Sequence, residues 1–312
     1  MENNKVFLWK RATEGNFSLH LKSSSYIMTV SVTTEYAVAV MERMKKMKLT
    51  SIASGSSGNC VFVSTDQCSL LVDAGISAKR IEQGLLEIGE QARDLSGILI
   101  THEHIDHISG LGVLMRRYKL PVFATAPTID SMRKSGKLGE VDTSLFYAVT
   151  EDVSFQIEDI VIDPSTIWHD AARPVCYSFY NNDIKASIAT DLGNFDEYLI
   201  EKLADSNILF VEANHDVHML EVGRYPYPLK QRILGKKGHL SNERCGQLLC
   251  KLMNDNLEQI YLGHLSKDNN YPDLAYESVN LELRLHGIDL TEKGIEMEVA
   301  KRDSLSTLCQ VC

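Results

Sequence analysis

Four side chains that can bind a metal ion fall close together in this sequence: His102, His104, Asp106 and His107. They directly follow the apolar run 97–100, which is typical of a buried strand. Side chains two residues apart in an extended segment point to the same side, so His102 and His104 could contact one ion. The helical spacing of the apolar residues that follow would turn Asp106 and His107 towards them. Imidazole and carboxylate groups together suit zinc or a similar divalent cation.

This cluster has two competing interpretations. The zinc-protease motif HExxH does not fit, because its second histidine would fall at position 106, where the sequence has aspartate. The other is a loop that is rich in histidine by chance, and the position directly after a predicted buried strand argues against it. We therefore predict a metal site at this loop.

Three further side chains follow apolar runs in the same way and would complete a site for two ions. His169, Asp191 and His264 each come at the end of a predicted strand. Loops at strand ends are where α/β scaffolds usually carry functional residues. A single histidine in such a position is more often structural, whereas three matching positions after one HxHxDH segment favour metal ligands. We predict that they converge on residues 102–107.

The remaining pattern predicts an α/β architecture with mixed sheets, built as two β-α halves. Short apolar runs alternate with segments of helical spacing, such as that of Ile81 and Leu85. A turn-forming stretch at residues 54–59 separates the first two predicted strands. Its glycines would let the backbone near Ser56 and Asn59 approach a phosphate, although a plain hairpin turn explains the stretch about as well.

Residues 223–242 contain no acidic side chain, although the chain has a formal net charge of -10. In this segment, which we call the basic window, two tyrosines are interleaved with five basic residues, Arg224, Lys230, Arg232, Lys236 and Lys237. Basic and aromatic side chains together suit a polyanion with exposed bases, through charge neutralisation and stacking. The competing interpretation is a solvated loop whose charges only offset an acidic protein. The uneven charge favours a nucleic-acid surface.

The 312 residues, 44% of them hydrophobic, suffice for a large core without disulfides. The seven cysteines are scattered and odd in number, which indicates a reducing compartment, and we expect the terminal pair Cys309 and Cys312 to be inert. The net charge argues against wholesale binding of nucleic acid but leaves a local basic groove open. No segment has the pattern of a signal peptide or a membrane span, so a cytoplasmic location is predicted.

Three segments are predicted from changes in pattern along the chain. Residues 1–46 lack a sustained period and are expected to be an appendage, poorly ordered or partly helical. Residues 47–303 form the main domain and residues 304–312 a tail. Because the regular strand pattern starts at Leu49, one hypothesis is that Met47 is the natural start of the chain.

The spaced histidines and aspartates resemble the five motifs of the metallo-β-lactamase superfamily, in the same order. The HxHxDH segment corresponds to the second motif, and the first, third, fourth and fifth correspond to Asp73, His169, Asp191 and His264. Five shorter segments are similar to the YycJ (WalJ) family of DNA exonucleases: SGSSGNC from Ser54, HDA from His169, EANHD from Glu212, GHLSN from Gly238 and HLS from His264. The resemblance covers residues 49–303 and implies a metallo-β-lactamase αββα sandwich, with two mixed β-sheets flanked by helices.

The resemblance also implies two divalent metal ions, with zinc expected and manganese the alternative. One ion would be bound by His102, His104 and His169. The other would be bound by Asp106, His107 and His264, and Asp191 would bridge the two ions. Two ions roughly 3.5–4 Å apart can share a hydroxide and neutralise charge in the transition state of a phosphodiester. Asp73 would orient a ligand histidine or the loop.

His239 lies outside these seven ligands. By analogy with related nucleases of the superfamily, it would contact the scissile phosphate or protonate the leaving oxygen, beside the catalytic carboxylates Asp106 and Asp191. A histidine at a helix entry, with a polar residue just after it as the cap, is the competing interpretation. His215 is expected near the site, on the substrate side rather than as a ligand.

The predicted function is that of a two-metal phosphodiesterase that cleaves nucleic acid, as a DNA exonuclease with a role in DNA repair or replication. DNA is favoured over RNA, and 5′→3′ polarity is implied by the resemblance alone. One alternative is a hydrolase of small esters or cyclic phosphodiesters, because this fold hosts many chemistries. The other is a non-catalytic regulatory protein whose fold a metal stabilises. The sequence leaves the oligomeric state open.

Overall fold

The computed structural model describes residues 6–12, 16–22, 27–33 and 46–312, and for the first three of these ranges it describes the backbone only. These residues form two seven-stranded mixed sheets and one three-stranded antiparallel sheet. The small sheet consists of β1 (Val6–Ala12), β2 (Asn16–Lys22) and β3 (Ile27–Thr33), paired in that order.

One of the seven-stranded sheets, sheet A, is formed mainly by the first half of the main domain. Its strands are β4 (Met47–Ala53), β5 (Cys60–Ser64), β6 (Ser69–Val72), β7 (Gly97–Leu99), β8 (Val122–Thr125), β9 (Phe146–Val149) and β17 (Cys309–Val311). Their spatial order is β17-β4-β5-β6-β7-β8-β9. The pairings from β6 to β9 are parallel, and the others are antiparallel.

The other seven-stranded sheet, sheet B, is formed by the second half. Its strands are β10 (Phe155–Ile157), β11 (Ile160–Thr166), β12 (Val175–Asn181), β13 (Ile184–Ala189), β14 (Ile208–Glu212), β15 (Gln259–Gly263) and β16 (Glu296–Val299). They follow one another in space as they do along the chain. The pairings from β13 to β16 are parallel, and those from β10 to β13 are antiparallel.

The α-helices of the described residues lie between these strands. They are α1 (Ala78–Glu87), α2 (Ile105–Ile108), α3 (Leu111–Tyr118), α4 (Ala126–Ser135), α5 (Glu197–Leu203), α6 (Val217–Val222), α7 (Tyr227–Leu234), α8 (Asn242–Leu252), α9 (Pro272–Leu285) and α10 (Leu290–Lys293). None of these helices combines the length and the apolar character that crossing a bilayer requires.

The two large sheets pack face to face, with helices on their outer sides. Between them lies an apolar core that includes Leu49 and Val63 of sheet A and Tyr177 and Phe210 of sheet B. A second apolar cluster joins sheet A to α1, α3 and α4, and a third joins sheet B to α5, α8 and α9. Strand β5 is buried along its whole length because both faces of its sheet are covered. The predicted αββα sandwich is therefore confirmed.

Parallel strands in both sheets deliver the candidate site residues. Asp73 directly follows β6, the 101–107 loop follows β7, and Asp191 follows β13. Glu212 is the last residue of β14, and His264 directly follows β15. The carboxyl ends of neighbouring parallel strands lie at the same edge of a sheet, where open α/β sheets bind their ligands. The two sheets thus bring these side chains to a common edge of the sandwich.

Two segments that the sequence analysis predicts as irregular contain strands. Strands β1 to β3 lie within residues 1–46, where disorder or helix is expected. The alternation of Phe17, Leu19 and Leu21 with polar residues is the period-two signal that predicts such a strand. The expected tail contains β17, which pairs with β4 at an end of sheet A. The division of the chain into these three segments stays a prediction.

Two further elements differ from the sequence analysis. The strand expected to lead directly to His169 ends at Thr166, so a short irregular segment precedes the histidine. Helix α7 lies inside the basic window, which carries no apolar period strong enough to predict a helix. Pro228 in the first turn of α7 is the sequence signal of a helix start, because its missing N–H would be unpaired there in any case.

Candidate metal centre

Three of the site residues have a backbone conformation that is rare for residues with a side chain. Asp73, Asp191 and His264 have φ angles of 62°, 59° and 55°. Each lies within two residues of the end of a parallel strand. Such left-handed conformations cost of order 1–3 kcal/mol each and persist where the surrounding structure enforces them. Their occurrence at three converging positions indicates a functional site.

The first group of candidate ligands consists of His102, His104 and His169. One ring nitrogen of each lies within 4.8 Å of those of the others, and His104 Nδ1 is 3.3 Å from His169 Nε2. His102 is fully buried, with Nδ1 3.0 Å from the Thr101 hydroxyl and with Nε2 lacking any hydrogen-bond partner. Burial is the largest cause that lowers the pKa values of His102 and His169. Burial thus favours the neutral form of both rings, which is the form that offers a lone pair to a cation.

The second group consists of Asp106, His107 and His264. Asp106 Oδ2 lies 3.6 Å from His107 Nε2 and 3.5 Å from His264 Nε2. Burial would raise the pKa of Asp106, but the two imidazoles outweigh it and hold this pKa far below its usual value. Burial would likewise lower the pKa of His264, yet the surrounding carboxylates, Asp191 first, raise it to about 10. This place therefore favours positive charge, whether protons or a metal ion carry it.

Asp191 lies between the two groups. Its Oδ2 is 3.1 Å from His107 Nε2, and its Oδ1 is 3.5 Å from His169 Nε2 and 3.6 Å from His264 Nε2. Burial would raise its pKa, but the imidazoles, His264 first, hold the pKa well below its usual value. The side chain is almost completely buried, and Oδ2 has no hydrogen-bond partner. A buried charged oxygen of this kind is unfavourable unless it meets a positive charge.

The seven side chains of the two groups and Asp191, which we call the metal cluster, fit a pair of divalent cations. Ligand atoms of His102, His107 and Asp191 also lie within 4.8 Å of one another, so Asp191 is close to one member of each group. The unpartnered atoms His102 Nε2 and Asp191 Oδ2 are the donors that a metal ion would satisfy. Imidazole nitrogens and carboxylate oxygens suit zinc, and a site that contains carboxylates also suits manganese.

Asp73 holds His107 on the side of the ring that faces away from the cluster. Its Oδ2 lies 2.7 Å from His107 Nδ1, and its Oδ1 accepts a hydrogen bond from the Thr101 backbone N–H at 2.9 Å. The Thr101 hydroxyl contacts both oxygens of the same carboxylate, at 3.1 and 2.9 Å. A carboxylate at Nδ1 fixes the tautomer whose lone pair is on Nε2, the atom next to Asp106 and Asp191. The structure thus places Asp73 where an orienting residue is expected.

Glu212 is a site residue that the sequence analysis does not identify. It is fully buried, and its Oε2 lies 2.8 Å from His264 Nδ1 and 2.9 Å from His239 Nδ1. Burial would raise its pKa, but His239 and His264 outweigh burial and lower the pKa to about 2. The backbone N–H groups of Asp191, Leu192 and Leu240 also donate to this carboxylate, at 3.1, 3.2 and 2.8 Å respectively. Glu212 thus fixes two imidazoles and the loop of Asp191 together.

His239 lies at the margin of the cluster, and its side chain is 14% exposed. Its ring stacks on that of His264, with the ring centroids 5.3 Å apart. Because Nδ1 contacts the Glu212 carboxylate, Nε2 is the atom that can exchange a proton with a ligand. Ser241 caps α8 by accepting from the Arg244 N–H at 3.3 Å, as the competing interpretation expects. That cap does not involve the His239 ring.

The predicted substrate-side residues outside the basic window differ in position. Asn59 Nδ2 lies 3.3 Å from His107 Nε2, and Asn59 Oδ1 accepts a backbone N–H within its own turn at 2.9 Å. His215 is buried, its Nε2 has no hydrogen-bond partner, and burial is the main cause that lowers its pKa to about 4. Ser56 is exposed, and its hydroxyl contacts the backbone after β15 at 3.4 Å.

The basic window is attached to the metal cluster at two points. Arg232 of α7 forms a two-point ion pair with Asp170, with N–O distances of 2.5 and 2.9 Å. Asp170 Oδ1 in turn lies 3.5 Å from His169 Nε2. The Gly238 carbonyl lies 3.1 Å from His169 Nδ1 and holds this ring from the other side. Part of the basic window is therefore within reach of a substrate at the cluster.

The other basic side chains of the window have different surroundings. Arg224, Lys236 and Lys237 are exposed. The Lys230 ammonium donates to the backbone carbonyl of Glu221 at 2.6 Å, at the end of α6. Lys236 and Lys237 are the pair in the loop that leads to His239.

Comparison with known proteins gives a matching family and similar curated proteins. Residues 69–264 match the family described as "Beta-lactamase superfamily domain". Exodeoxyribonuclease YycJ of Bacillus anthracis is 41% identical over 241 residues, which cover 77% of this chain and 90% of that protein. Exodeoxyribonuclease WalJ of Streptococcus pneumoniae strain D39 is 41% identical over 229 residues, which cover 73% of this chain and 85% of that protein.

Solved structures share the fold at low sequence identity. The metallo-β-lactamase fold protein YhfI from Bacillus subtilis has a TM-score of 0.64 and 15% identity, covering 85% of this chain and 99% of that one. Zn²⁺-bound PqqB from Methylobacterium extorquens has a TM-score of 0.59 and 15% identity, covering 83% and 99%. With the family match and the two curated relatives, these likenesses show that the chain belongs to the metallo-β-lactamase superfamily of metal-dependent hydrolases, as a YycJ-like member.

Proposed function

We propose that this chain is a two-metal phosphodiesterase that removes nucleotides from an end of DNA. The observation that carries this proposal is the pair of ligand groups that Asp191 contacts, with His102 Nε2 and Asp191 Oδ2 buried and without a hydrogen-bond partner. Polar atoms left in this state cost free energy unless a partner arrives, and a divalent cation is the partner that fits both. The two curated relatives are named exodeoxyribonucleases, which supports the choice of DNA and of an exonuclease.

Each proposed ion has three ligands of its own. His102, His104 and His169 would hold one ion. Asp106, His107 and His264 would hold the second ion. Asp191 would contact both ions. Zinc is the expected metal and manganese the alternative, because the second set adds a carboxylate to imidazoles.

The chemistry divides between the ions and the chain. When bound, two such cations lower the pKa of water to near neutrality and neutralise the negative charge that develops on a phosphodiester. The chain keeps two of the ligand histidines in position through carboxylates that contact their Nδ1 atoms. Asp73 fixes His107 and Glu212 fixes His264, at 2.7 and 2.8 Å. Contacts of this kind commonly contribute ten- to a hundredfold to metal affinity or activity, by rough estimate.

His239 is proposed as the group that protonates the leaving oxygen. Its Nδ1 is held by Glu212 at 2.9 Å, and its partly exposed ring lies at the edge of the cluster. A positioned histidine of this kind contributes about 10²–10⁴-fold to a hydrolysis. Asp106 and Asp191 complete the proposed catalytic set, because they would hold the metal ions that activate the attacking water.

The basic window is the proposed binding surface for the DNA backbone. Arg232 is fixed beside His169 by Asp170, and the exposed Lys236 and Lys237 lie in the loop that leads to His239. Their charges would neutralise phosphates on the strand that enters the site. Preference for DNA over RNA, 5′→3′ polarity, a cytoplasmic location and a role in DNA repair are parts of the same proposal.

Metal-reconstituted protein assayed on end-labelled nucleic acid tests this proposal. Chelator-treated protein receives zinc or manganese and is incubated with single- and double-stranded DNA and RNA, labelled at either end. We expect metal-dependent, stepwise shortening of DNA from one end, with none in chelator, and the label that is released first defines the polarity. Internal cuts from the start of the reaction would contradict an exonuclease, and intact DNA and RNA with both metals bound would contradict a nuclease.

A further inference from the structure

A cleft of about 330 Å³ opens beside the metal cluster, on the side of His169. Its volume is at the small end of the roughly 300–1,000 Å³ that is typical of small-molecule sites. The side chains of interest in its wall are Trp168, His169, Arg173, Tyr198 and Lys237. Because His169 belongs both to this wall and to the first ligand group, a ligand in the cleft would lie next to the proposed metal ions.

Trp168 is a fixed but exposed aromatic side chain. It is 42% exposed, and its indole N–H donates to Asp196 Oδ2 at 3.4 Å. Its backbone carbonyl accepts the Gly193 N–H at 2.8 Å, which joins this segment to the loop of Asp191. A large apolar ring left half in water, next to the candidate metal ligands and attached through its indole N–H, is suited to stacking against a flat ligand.

Positive charge lies around the same cleft. Lys237 is exposed, and a side chain at Gly193 would come within 2.4 Å of the Lys236 carbonyl, so the lysine loop packs tightly against the loop after Asp191. Arg173 is half exposed, with its Nε 2.5 Å from Glu151 Oε1. Its charge is therefore partly offset, and Lys237 is the better candidate for contact with a phosphate.

We propose that this cleft is a nucleobase subsite, in which the base next to the scissile phosphate stacks on Trp168 while Lys237 contacts the backbone. The proposal rests on the proposed function, because it concerns how the DNA strand is held there. Stacking on an aromatic ring tolerates every base, since each base has a π-face. An exonuclease must accept each base in turn, so a stacking subsite fits it better than one that reads hydrogen bonds.

Binding measurements in chelator test the subsite without turnover. Anisotropy of labelled single strands gives Kd for a normal oligonucleotide and for one with abasic terminal nucleotides. We expect the unmodified chain to bind the normal strand about tenfold more tightly, the scale of one base stacked on an aromatic ring. Trp168→Ala should reduce this ratio to near one, and Trp168→Phe should restore part of it. Tyr147→Ala, which removes an aromatic of similar exposure from edge strand β9, should leave the ratio unchanged.

A fluorescence titration measures the same contact in a chain that keeps Trp168. The protein has two tryptophans, so Trp9→Phe leaves Trp168 as the single indole. Its emission should be quenched saturably by the normal strand and much less by the abasic one. An equal response to both strands, or a ratio that survives Trp168→Ala, would overturn the subsite. Base-dependent binding without any DNA cleavage by the metal-loaded chain would instead leave the subsite standing and refute the proposed function.

Discussion

The metal cluster and the basic window lie side by side and are built in opposite ways. The cluster is formed by side chains that strand ends deliver, and His102, His107 and Asp191 among them are almost fully buried. Each is fixed by other polar groups, as His107 is by Asp73. The window is a short helix and a loop, and most of its basic side chains extend into solvent.

This difference separates two tasks. Groups that must stabilise charge during a reaction act best when they are held in place and shielded from water, so the cluster tolerates little change. Groups that bind a succession of different nucleotides need no such fixed geometry, and exposed charges act over a distance that salt shortens. We therefore expect changes in the cluster to act nearly all-or-none, and changes in the window to act gradually and with a dependence on ionic strength.

The largest expected effect comes from Asp191→Asn. The amide keeps the shape but removes the charge shared by both ligand groups, so metal content and turnover should fall together. We expect a loss of more than about 10⁴-fold in turnover, above what the loss of a positioned acid costs. Elemental analysis and DNA cleavage measure both quantities, and Asp66→Asn, at an exposed turn, is the matched control. An active Asp191→Asn chain with full metal content would show that neither metal binding nor turnover needs the charge of this carboxylate.

His239→Ala should separate metal binding from turnover. Because the ring lies at the margin of the cluster and outside the two ligand groups of three, metal content should stay unchanged. We expect turnover to fall by about 10²–10⁴-fold, the range for loss of a positioned acid. A fully active His239→Ala chain would refute the proton-transfer role, and loss of metal would show that this histidine is a ligand instead.

Glu212→Gln should reduce turnover by roughly ten- to a hundredfold. The amide is nearly isosteric, but it loses the negative charge that contacts His239 and His264. Since Glu212 does not touch substrate in this account, kcat should fall much more than KM. The exposed Glu277→Gln in α9 is the control. A rise in KM at constant kcat would show that Glu212 contributes to substrate binding and does not act by orienting His239 and His264.

The smallest and most salt-sensitive effect is expected from the double change of Lys236 and Lys237 to Ala. For single strands, log K falls with log salt by about 0.7 per neutralised phosphate, so loss of two contacts should reduce the slope by about 1.4. Turnover of long DNA should fall more than turnover of a small phosphodiester. The control pair Lys251 and Lys293, exposed in α8 and α10, should leave the slope unchanged. Equal losses on both substrates would show that the window has no special role in DNA binding.

Most of the fold could be predicted because strands of a sheet that is covered on both faces form continuous apolar runs, which are strong local signals. Strands β14 and β15 have the bounds that their apolar runs predict. What the pattern could not supply was the pairing at the periphery. Strand β17 is three residues long and is specified by its contact with β4, which lies far away in the sequence.

The site could be predicted in so far as its residues obey a rule of position. Asp191 and His264 lie together because the ends of parallel strands converge, as their sequence context indicates, whereas His169 lies three residues beyond the end of its strand. Glu212 obeys the same rule, at the end of an apolar strand, and a search limited to histidine and aspartate does not find it. Trp168 belongs to none of the motifs, and its proposed role in base stacking depends on its exposure, which only the packed structure reveals.

Anomalous diffraction from crystals grown with zinc or manganese tests the central claim most directly, since it locates each ion without relying on activity. We expect two peaks about 3.5–4 Å apart, one among His102, His104 and His169 and the other between His107 and His264, with Asp191 in contact with both. A single peak, or two peaks of which one lies away from Asp191, would contradict it.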